Sequence, residues 1–285
     1  GDIISRSGDI SDIIKQKNTF FVGFKTNGLY IVRVEDGECF KEKTPINSGV
    51  FCLTKDQFQD VIWVGTDGQG VYMLHDENYS IRSTILNDFT LKVGKPIRSL
   101  FLDDANTLWI GSKGDGILKI YDYDINKNIL DCKIENLDIK NSALNDNSIY
   151  SFSKSKKNIL WIGTENGLNY YSYAEKKIKK ISLTDHKKPI IYIHDVYEQD
   201  STLWIATVGM GYVKAHLSWQ GDTPVLSNII RYTIGDGDIS SNYFFSIFAE
   251  DNDVWFSNRG KGAFKVNTKT SDIMSFVFNK KNENI

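Results

Sequence analysis

The stretch that decides the fold is Trp161-Ile162-Gly163-Thr164-Glu165-Asn166-Gly167-Leu168-Asn169-Tyr170. An aromatic, an aliphatic and a small residue are followed by a turn that ends at a glycine. The same order recurs at Phe21-Val22-Gly23, Trp63-Val64-Gly65, Trp109-Ile110-Gly111, Trp204-Ile205-Ala206 and Trp255-Phe256-Ser257. The steps between the anchor aromatics are 42 (63−21), 46 (109−63), 52 (161−109), 43 (204−161) and 51 (255−204). Repeats of this period are typical of β-propellers and other repeat folds.

Each repeat is built from short apolar segments separated by polar turns. In one of them, Ile97 to Leu102 precedes a turn of Asp and Asn residues, the Trp109 strand follows, and Gly116 to Tyr121 forms a third strand. A variable fourth segment, such as Lys177 to Leu183, closes the unit. Four short strands rich in β-branched and aromatic residues predict one antiparallel sheet per repeat, and no segment has sustained helical periodicity.

Such sheets cannot fold alone, because the Trp and the aliphatic residue after it point to opposite faces of the strand. Neighbouring copies of the unit must cover both faces. We therefore predict an all-β protein, a β-propeller of four-stranded antiparallel blades, rather than a β-solenoid with its shorter coils. The six repeat units correspond to blades 1–46, 47–93, 94–142, 143–187, 188–238 and 239–285. Whether the intact protein forms a ring of seven blades is left undecided by the sequence.

The glycines fall into two sets. The first set lies two residues after the anchor Trp of the second strand, where the missing side chain lets the next blade approach closely: Gly65, Gly111 and Gly163. A second set begins the third strand, where positive φ is expected: Gly28, Gly70, Gly116, Gly167, Gly211 and Gly262. The inserts Asp122 to Asn147 and His216 to Asn228 are predicted to be loops between blades.

Composition excludes several classes of protein. The 285 residues carry a formal charge of −2 with scattered basic residues, so no nucleic-acid partner is indicated. No apolar run approaches a membrane span. The chain begins at Gly1, which we interpret as a trimmed or mature fragment. Cys39, Cys52 and Cys132 are expected to be buried small hydrophobes, with a Cys39–Cys52 pair as the alternative.

No motif for a metal, a phosphate group or a catalytic nucleophile is present. The histidines are dispersed, at His75, His186, His194 and His216. We therefore expect no metal, no cofactor and no catalysis by this segment. A pair of carboxylates facing each other, as in glycosidases, stays open as an alternative.

Topology nevertheless predicts a binding site. Connections between strands alternate between the two ends of a blade, so the strand 2–3 turns and the starts of the innermost strands share one face. Sugar recognition needs flat aromatic surface and planar hydrogen-bonding groups, and this face has both. The predicted ligand-binding residues are Arg98, Asn147, Tyr150, Tyr192, His194, Asn242 and Tyr243, and the structural anchors are Trp63, Trp109, Trp161, Trp204 and Trp255.

The stretch Leu160-Trp161-Ile162-Gly163-Thr164-x-x-Gly167-Leu168, preceded by Asn147-Ser148-Ile149-x-x-Phe152, resembles the two-component regulator propeller repeat family. Leu108-Trp109-Ile110-Gly111-Ser112 and Leu203-Trp204-Ile205-Ala206-Thr207 share the resemblance, as does the lead-in Ser240-Ser241-Asn242. The resemblance covers nearly the whole chain. It departs from the family in blade number, since propellers of the family usually have seven blades and six units are visible here.

The resemblance implies the periplasmic sensor region of a Bacteroidetes-type hybrid two-component system. Such a region detects a small molecule or oligosaccharide and signals to a histidine kinase that this chain lacks. The intact sensor would be tethered to the inner membrane and would form a homodimer. Two alternatives remain: a propeller-fold glycan hydrolase or lyase, and a protein-interaction scaffold.

Overall fold

The computed structural model describes residues 9–35, 38–75, 78–86, 91–124, 126–186, 188–237, 239–258 and 262–276. The chain forms two compact units. Unit 1 contains the described residues up to Asn141 together with Asn147–Ile149, and unit 2 contains Ser142–Asp146 and the described residues from Tyr150 onward. Each unit is described separately below.

Unit 1 holds three four-stranded antiparallel sheets, each with its strands in chain order. Sheet 1 is β1 (Ile10–Gln16), β2 (Thr19–Phe24), β3 (Gly28–Glu35) and β4 (Glu38–Lys43). Sheet 2 is β5 (Val50–Lys55), β6 (Val61–Thr66), β7 (Val71–His75) and β8 (Ile81–Ile85). Sheet 3 is β9 (Ile97–Leu102), β10 (Thr107–Ser112), β11 (Ile117–Tyr121) and β12 (Lys133–Leu137), with a short 3₁₀ helix at Ile129–Asp131.

Unit 2 holds three more sheets of the same kind. Sheet 4 is β13 (Ile149–Lys154), β14 (Ile159–Thr164), β15 (Gly167–Ser172) and β16 (Lys177–Lys180), followed by the two-residue strands β17 (Thr184–Asp185) and β18 (Lys188–Pro189). Sheet 5 is β19 (Ile193–Gln199), β20 (Thr202–Thr207), β21 (Tyr212–Gln220) and β22 (Thr223–Tyr232). Sheet 6 is β23 (Phe244–Glu250), β24 (Asp253–Asn258), β25 (Ala263–Asn267) and β26 (Ile273–Phe276).

The predicted all-β propeller architecture of six four-stranded antiparallel blades is confirmed. The described residues include no α-helix, and hence none long and apolar enough to cross a membrane. The prediction of loops for the two inserts was wrong. Residues His216 to Asn228 extend β21 and β22 into a long hairpin, and Asp122 to Asn147 contains β12, the fourth strand of sheet 3.

In sheets 1, 2, 4 and 5 the aromatic anchor of the second strand packs against the first strand of the sheet that follows in the chain. Trp63 shares a buried cluster with Ile97 and Leu100, and Trp161 shares one with Ile193 and Val196. Trp204 likewise lies in a cluster with Phe244 and Phe256. Burial removes a large apolar surface from water, which is the main favourable contribution to folding.

The next residue along each second strand faces the opposite way. Val64 belongs to the cluster that contains Phe21, Ile110 to the cluster of Trp63, and Ile205 to the cluster of Trp161. Alternation along a strand therefore inserts one side chain into each neighbouring interface. This explains why sheets with two apolar faces occur in series.

A carboxylate accepts a hydrogen bond from the indole nitrogen of three of the anchors. Trp63 Nε1 donates to Asp56 Oδ2 at 2.9 Å, and Trp109 Nε1 donates to Asp103 Oδ2 at 2.9 Å. Trp161 Nε1 donates to Glu198 Oε2 of the following sheet, again at 2.9 Å. These bonds satisfy a donor that would otherwise be buried without a partner, which costs about 1–3 kcal/mol.

Trp255 differs from the other predicted anchors. The first four tryptophans are at most 1% exposed, whereas Trp255 is only partly buried. Its ring packs 5.0 Å from that of Phe276, within its own sheet. No sheet follows sheet 6 in the part of the chain that the structure describes.

The glycine predictions are confirmed. A Cβ on Gly65 would lie 2.8 Å from Ile97 Cγ2, and one on Gly111 would lie 2.8 Å from Ile149 Cγ2. A Cβ on Gly163 would lie 2.8 Å from the Ile193 carbonyl oxygen. All six glycines that precede or begin a third strand have positive φ, between 78° and 114°.

The three cysteines are unpaired, so the alternative of a Cys39–Cys52 disulfide was wrong. Cys52 is buried as expected, and its thiol fills the space beside Gly65. Cys39 is exposed and Cys132 is intermediate, so the prediction of burial was wrong for Cys39. Cys39 lies on β4, the last strand of sheet 1, where one face of the strand meets solvent.

Replacing the buried anchor of sheet 4 tests the packing. Trp161→Ala should lower the free energy of unfolding by about 3–5 kcal/mol, because it leaves a cavity and removes the hydrogen bond to Glu198. Urea denaturation followed by circular dichroism would measure the change. Trp255→Ala, at a partly buried position, should cost clearly less. A change near zero for Trp161→Ala would show that this ring does not hold the sheets together.

Candidate functional site

A β-bulge lies near the start of the first strand in sheets 1, 2, 3, 5 and 6. In each case one residue is skipped in the pairing with the second strand: Ser11, Phe51, Arg98, His194 and Phe245. Tyr150 follows Ile149 as Arg98 follows Ile97, which puts it at the equivalent position of sheet 4. Bulges often re-aim a side chain beside a functional site.

Three of these residues form an aromatic cluster in unit 2. The Tyr150 and His194 rings stack at 4.2 Å with an interplanar angle of 18°. The ring of Phe245 meets His194 edge-on, at 5.3 Å and 86°. The three side chains come from the first strands of sheets 4, 5 and 6, so each sheet contributes one ring. All three are partly exposed, which leaves apolar ring surface available to a ligand.

Glu165 adds a hydrogen-bonding group to this cluster. It lies in the turn between β14 and β15, and its Oε2 accepts a hydrogen bond from the Tyr150 hydroxyl at 3.1 Å. The Glu165 carbonyl oxygen accepts from the Tyr192 backbone N–H at 2.7 Å, which ties this turn to the segment before β19. A carboxylate therefore borders a flat aromatic surface, a combination suited to polar ligands with apolar faces.

Tyr192 and Tyr243 occupy similar positions one residue before the first strands of sheets 5 and 6. They are 38% and 46% exposed. Tyr192 has a φ of 55°, in the left-handed region, and its carbonyl oxygen accepts from the Val208 N–H at 3.1 Å. Two large exposed rings thus precede the bulged residues His194 and Phe245 in sequence.

The predicted ligand-binding residues Asn147 and Asn242 have backbone-organising contacts. The Asn242 carbonyl oxygen accepts from the N–H groups of Gly209 and Gly211 at 2.9 and 3.0 Å, and its Oδ1 accepts from Ile234 N–H at 2.8 Å. In unit 1, Asn147 accepts in the same way from Gly114, Gly116 and Ile139. Both asparagines fix the segment that enters the next first strand, and their role in ligand binding stays a prediction.

Arg98 lies in unit 1. Its guanidinium carbon stands 3.7 Å from the centroid of the Phe51 ring, so the two bulged residues of sheets 2 and 3 form a cation–π pair. The predicted set is therefore divided: Tyr150, Tyr192, His194, Asn242 and Tyr243 belong to unit 2, and Arg98 and Asn147 belong to unit 1.

Sequence reasoning did not select Phe51 or Phe245. The sequence feature that could have found them is the distance from each bulged residue to the following Trp. This distance is 12 residues for Phe51 (63−51) and 10 for Phe245 (255−245). The corresponding distance is 11 for Arg98 (109−98) and for Tyr150 (161−150), and 10 for His194 (204−194). The bulge itself was not visible in the sequence.

Partly buried aspartates hold the bulged strands of adjacent sheets together. Asp12 Oδ2 accepts from the Leu53 N–H at 2.7 Å, and Asp195 Oδ2 accepts from the Ile247 N–H at 2.8 Å. Both follow a bulged residue, so the same device recurs in sheets 1 and 5. It fixes the spacing of the first strands, which carry the rings of the candidate site in unit 2.

No group of three or more His, Cys, Asp or Glu residues within the described ranges is arranged to hold a metal ion. The aromatic cluster and Glu165 can stack on a ligand and accept hydrogen bonds from it.

Comparison with known proteins finds a match to a family model over one repeat of the chain. The description "Two component regulator propeller" matches residues 143–166, which include Tyr150, Trp161 and Glu165. This chain carries a two-component regulator propeller repeat. The repeat supplies β13, β14 and the turn that bears Glu165, so it contributes part of the candidate site. No curated protein matches the chain.

Solved structures share the fold. The extracellular domain of BT3049 from B. thetaiotaomicron, named as a hybrid two component system, matches 95% of this chain and 34% of its own at 19% identity, with a TM-score of 0.72. PorZ, a surface component of the type-IX secretion system of Porphyromonas gingivalis, matches 94% of this chain and 38% of its own at 15% identity (TM-score 0.65). The computationally designed protein Ika8 matches 94% and 86% at 11% identity (TM-score 0.58). The chain spans about a third of the length of the two natural structures.

The pKa of Asp12 gives a test of the hydrogen bond by which Asp12 joins the first strands of sheets 1 and 2. Burial raises this pKa, and the N–H groups of Leu53 and Ile13 oppose the shift to a smaller extent. Because the pKa of Asp12 is higher in the folded than in the unfolded state, protonation of Asp12 favours the folded state. This contribution to the free energy of unfolding is fully present below the unfolded pKa of about 4 and is lost as pH rises through the folded-state pKa.

Asp12→Asn removes this titration. The free energy of unfolding of the wild type minus that of Asp12→Asn should therefore decrease as pH rises from about 3.5 to about 6.5. Urea titrations of both proteins across this range would measure it. A difference that stays constant, or that increases with pH, contradicts the account of a carboxyl group destabilised by burial.

Proposed function

We propose that this chain is a non-catalytic ligand-sensing propeller of a hybrid two-component regulator, and that it detects an oligosaccharide. The family repeat at residues 143–166 supports the regulator class. The shared fold with the extracellular domain of BT3049 supports a position outside the cytoplasm, and within that space we propose the periplasm.

The observation that carries the ligand class is the aromatic cluster of Tyr150, His194 and Phe245. Sugar rings have apolar C–H faces and polar edges, so they bind to a flat ring that is bordered by hydrogen-bonding groups. Glu165 and the Tyr150 hydroxyl lie at the border of this cluster. Exposed Tyr192 and Tyr243 offer further aromatic surface in the same unit.

Signalling would proceed through parts of the protein that this chain does not contain. In this proposal, ligand binding changes the arrangement or the association of the propeller, and a membrane-tethered histidine kinase responds. A homodimer of the intact sensor would couple two propellers to two kinase domains. The family resemblance is the basis for the kinase, the tether and the dimer.

A glycan hydrolase or lyase is the second candidate, because His194 and Tyr150 are adjacent and Tyr150 contacts a carboxylate. The contact between the two rings is a face-to-face stack, a geometry that supports recognition rather than proton transfer between them. Retaining and inverting glycosidases need two carboxyl groups beside the scissile bond. Incubation of the chain with glycan fragments, followed by product analysis, distinguishes the enzyme from the sensor.

Calorimetry with a library of glycan fragments tests the sensor proposal. We expect saturable heat with at least one fragment and no turnover of it. Phe245→Ala should then weaken binding about tenfold, because a stacking ring contributes about 1–1.5 kcal/mol. Phe248→Ala is the matched control: this ring is on the same strand and is 62% exposed, but the proposed site does not include it.

Two results would contradict the proposal. One is the absence of binding heat for every glycan fragment with an intact, folded ectodomain. The other is an equal loss of affinity in Phe245→Ala and Phe248→Ala, which would place the ligand away from the aromatic cluster. Turnover of a bound fragment would favour the enzyme instead.

A further inference from the structure

Glu165 brings a negative charge to the edge of the aromatic cluster. Its Oε2 accepts the hydrogen bond of the Tyr150 hydroxyl at 3.1 Å, and the side chain is partly exposed. Within the described residues, nothing else donates a hydrogen bond to this carboxylate and no cation pairs with it. An ionised carboxyl group has about four acceptor positions. Glu165 therefore keeps both its charge and its acceptor capacity for a ligand.

The backbone on both sides holds Glu165 in place. β14 ends at Thr164 and β15 begins at Gly167, so Glu165 lies in a turn of two residues. The Thr164 hydroxyl closes this turn by donating to the Gly167 carbonyl oxygen at 2.7 Å, and the Tyr192 N–H donates to the Glu165 carbonyl oxygen at 2.7 Å. A group that is ordered before the ligand arrives costs less conformational entropy on binding.

The stretches of unit 2 that build this site contain no Lys or Arg. They carry the three rings, Tyr192, Tyr243 and the turns between the second and third strands of sheets 4 and 5. By number they are 150–152, 164–167, 190–197, 207–211 and 239–248. Arg259 and Lys261, in the corresponding turn of sheet 6, lie outside the described residues. The described part of the site in unit 2 therefore has no positive side chain of its own to balance Glu165.

Asp195 is the other acidic residue in these stretches. Its Oδ1 accepts from the Val196 N–H and its Oδ2 accepts from the Ile247 N–H, each at 2.8 Å. These bonds commit the Asp195 carboxylate to the backbone, but its negative charge adds to that of Glu165. Both charges favour a cationic ligand over an anionic one.

A neutral sugar and a cationic sugar differ in their effect on Glu165. A ligand that covers the carboxylate removes water from it, and this is costly for a charge that gains no partner. The hydroxyl groups of a neutral sugar donate hydrogen bonds to the carboxylate, whereas an ammonium group donates charge-assisted bonds, which are stronger. The faces of aromatic rings also attract cations. The combination of Glu165 with the three rings therefore favours a ligand that carries an ammonium group.

We propose that the candidate site selects an oligosaccharide with free amino groups, and that Glu165 determines this specificity. The ammonium group of the ligand donates to the Glu165 carboxylate, which the Tyr150 hydroxyl holds in position, and a sugar ring packs on the aromatic cluster. This specificity rests on the sensor function proposed above, because it concerns the same site.

Calorimetry with three matched trisaccharides tests the specificity. The glucosamine trimer, its N-acetylated form and cellotriose share one backbone and differ only in an ammonium, an acetamido or a hydroxyl group at the same carbon. At about pH 5.5, where the amino groups are protonated, the glucosamine trimer should bind about tenfold more tightly than cellotriose. Added salt should weaken binding of the glucosamine trimer and leave that of cellotriose unchanged.

Two variants of sheet 4 separate Glu165 from charge in general. Glu165→Gln keeps the shape of the side chain and removes the charge, so it should lower the affinity for the glucosamine trimer to that for cellotriose. Glu175→Gln is the matched control: it removes an exposed carboxylate that pairs with Lys179 in the turn between β15 and β16, and it should change neither affinity. Equal urea midpoints for the two variants would show that both remain folded.

Three outcomes would overturn the proposed specificity while leaving the sensor function intact. The first is equal affinity for the three trisaccharides. The second is the absence of heat with the glucosamine trimer when a neutral glycan fragment of the library does bind. The third is a preference for the glucosamine trimer that persists in Glu165→Gln. Absence of binding by every glycan fragment would instead contradict the sensor function, and the specificity with it.

Discussion

The structure depends on one contact: an aromatic ring of a second strand inserted against the first strand of the following sheet. At Trp63, Trp109 and Trp161 a carboxylate also accepts the indole N–H. Burial of the ring supplies the apolar contact, and the carboxylate satisfies the only polar group of the side chain. At Trp161 the acceptor is Glu198 from the following sheet, so apolar packing and hydrogen bonding join the same two sheets. A four-stranded sheet on its own offers neither the apolar packing nor the hydrogen bond.

This contact also positions the candidate site. The first strand must approach the preceding second strand closely, and Gly163 makes room for Ile193 to do so. Asp195 then fixes the next first strand through the Ile247 N–H. Between these fixed points a β-bulge leaves one residue of the first strand unpaired with the second strand, so its side chain is available to a ligand. Tyr150, His194 and Phe245 are side chains at this position, so the scaffold that buries tryptophans also places the rings.

Much of the fold was predictable because the residues that recur in each repeat have strict packing or backbone requirements. The order aromatic, apolar, small marked the second strand of each sheet, and the positive-φ glycines marked the turn between its second and third strands. The inserts were mistaken for loops because their strands, such as β12 and the outer parts of β21 and β22, lack the repeated residues. Trp255 was equated with the other anchors, since its sequence context does not show that its ring is only partly buried.

The candidate site was predictable only in part, because side-chain exposure on the first strand depends on the bulge. Tyr150 and His194 were selected as polar or aromatic residues near the start of a strand, and they do contact each other. Phe245 looked like an ordinary apolar strand residue. Asn147 and Asn242 looked like ligand groups, yet their side-chain oxygens bind backbone N–H groups of Ile139 and Ile234. Sequence alone does not separate these roles.

A double-mutant cycle between Trp161 and Glu198 tests most directly whether the indole–carboxylate contact holds neighbouring sheets together. The unfolding free energies of the wild type, Trp161→Phe, Glu198→Gln and the double variant would be measured by urea denaturation. The account predicts a coupling energy of about 1.5–3 kcal/mol, as for a buried hydrogen bond to a charged group. A coupling energy indistinguishable from zero would contradict it.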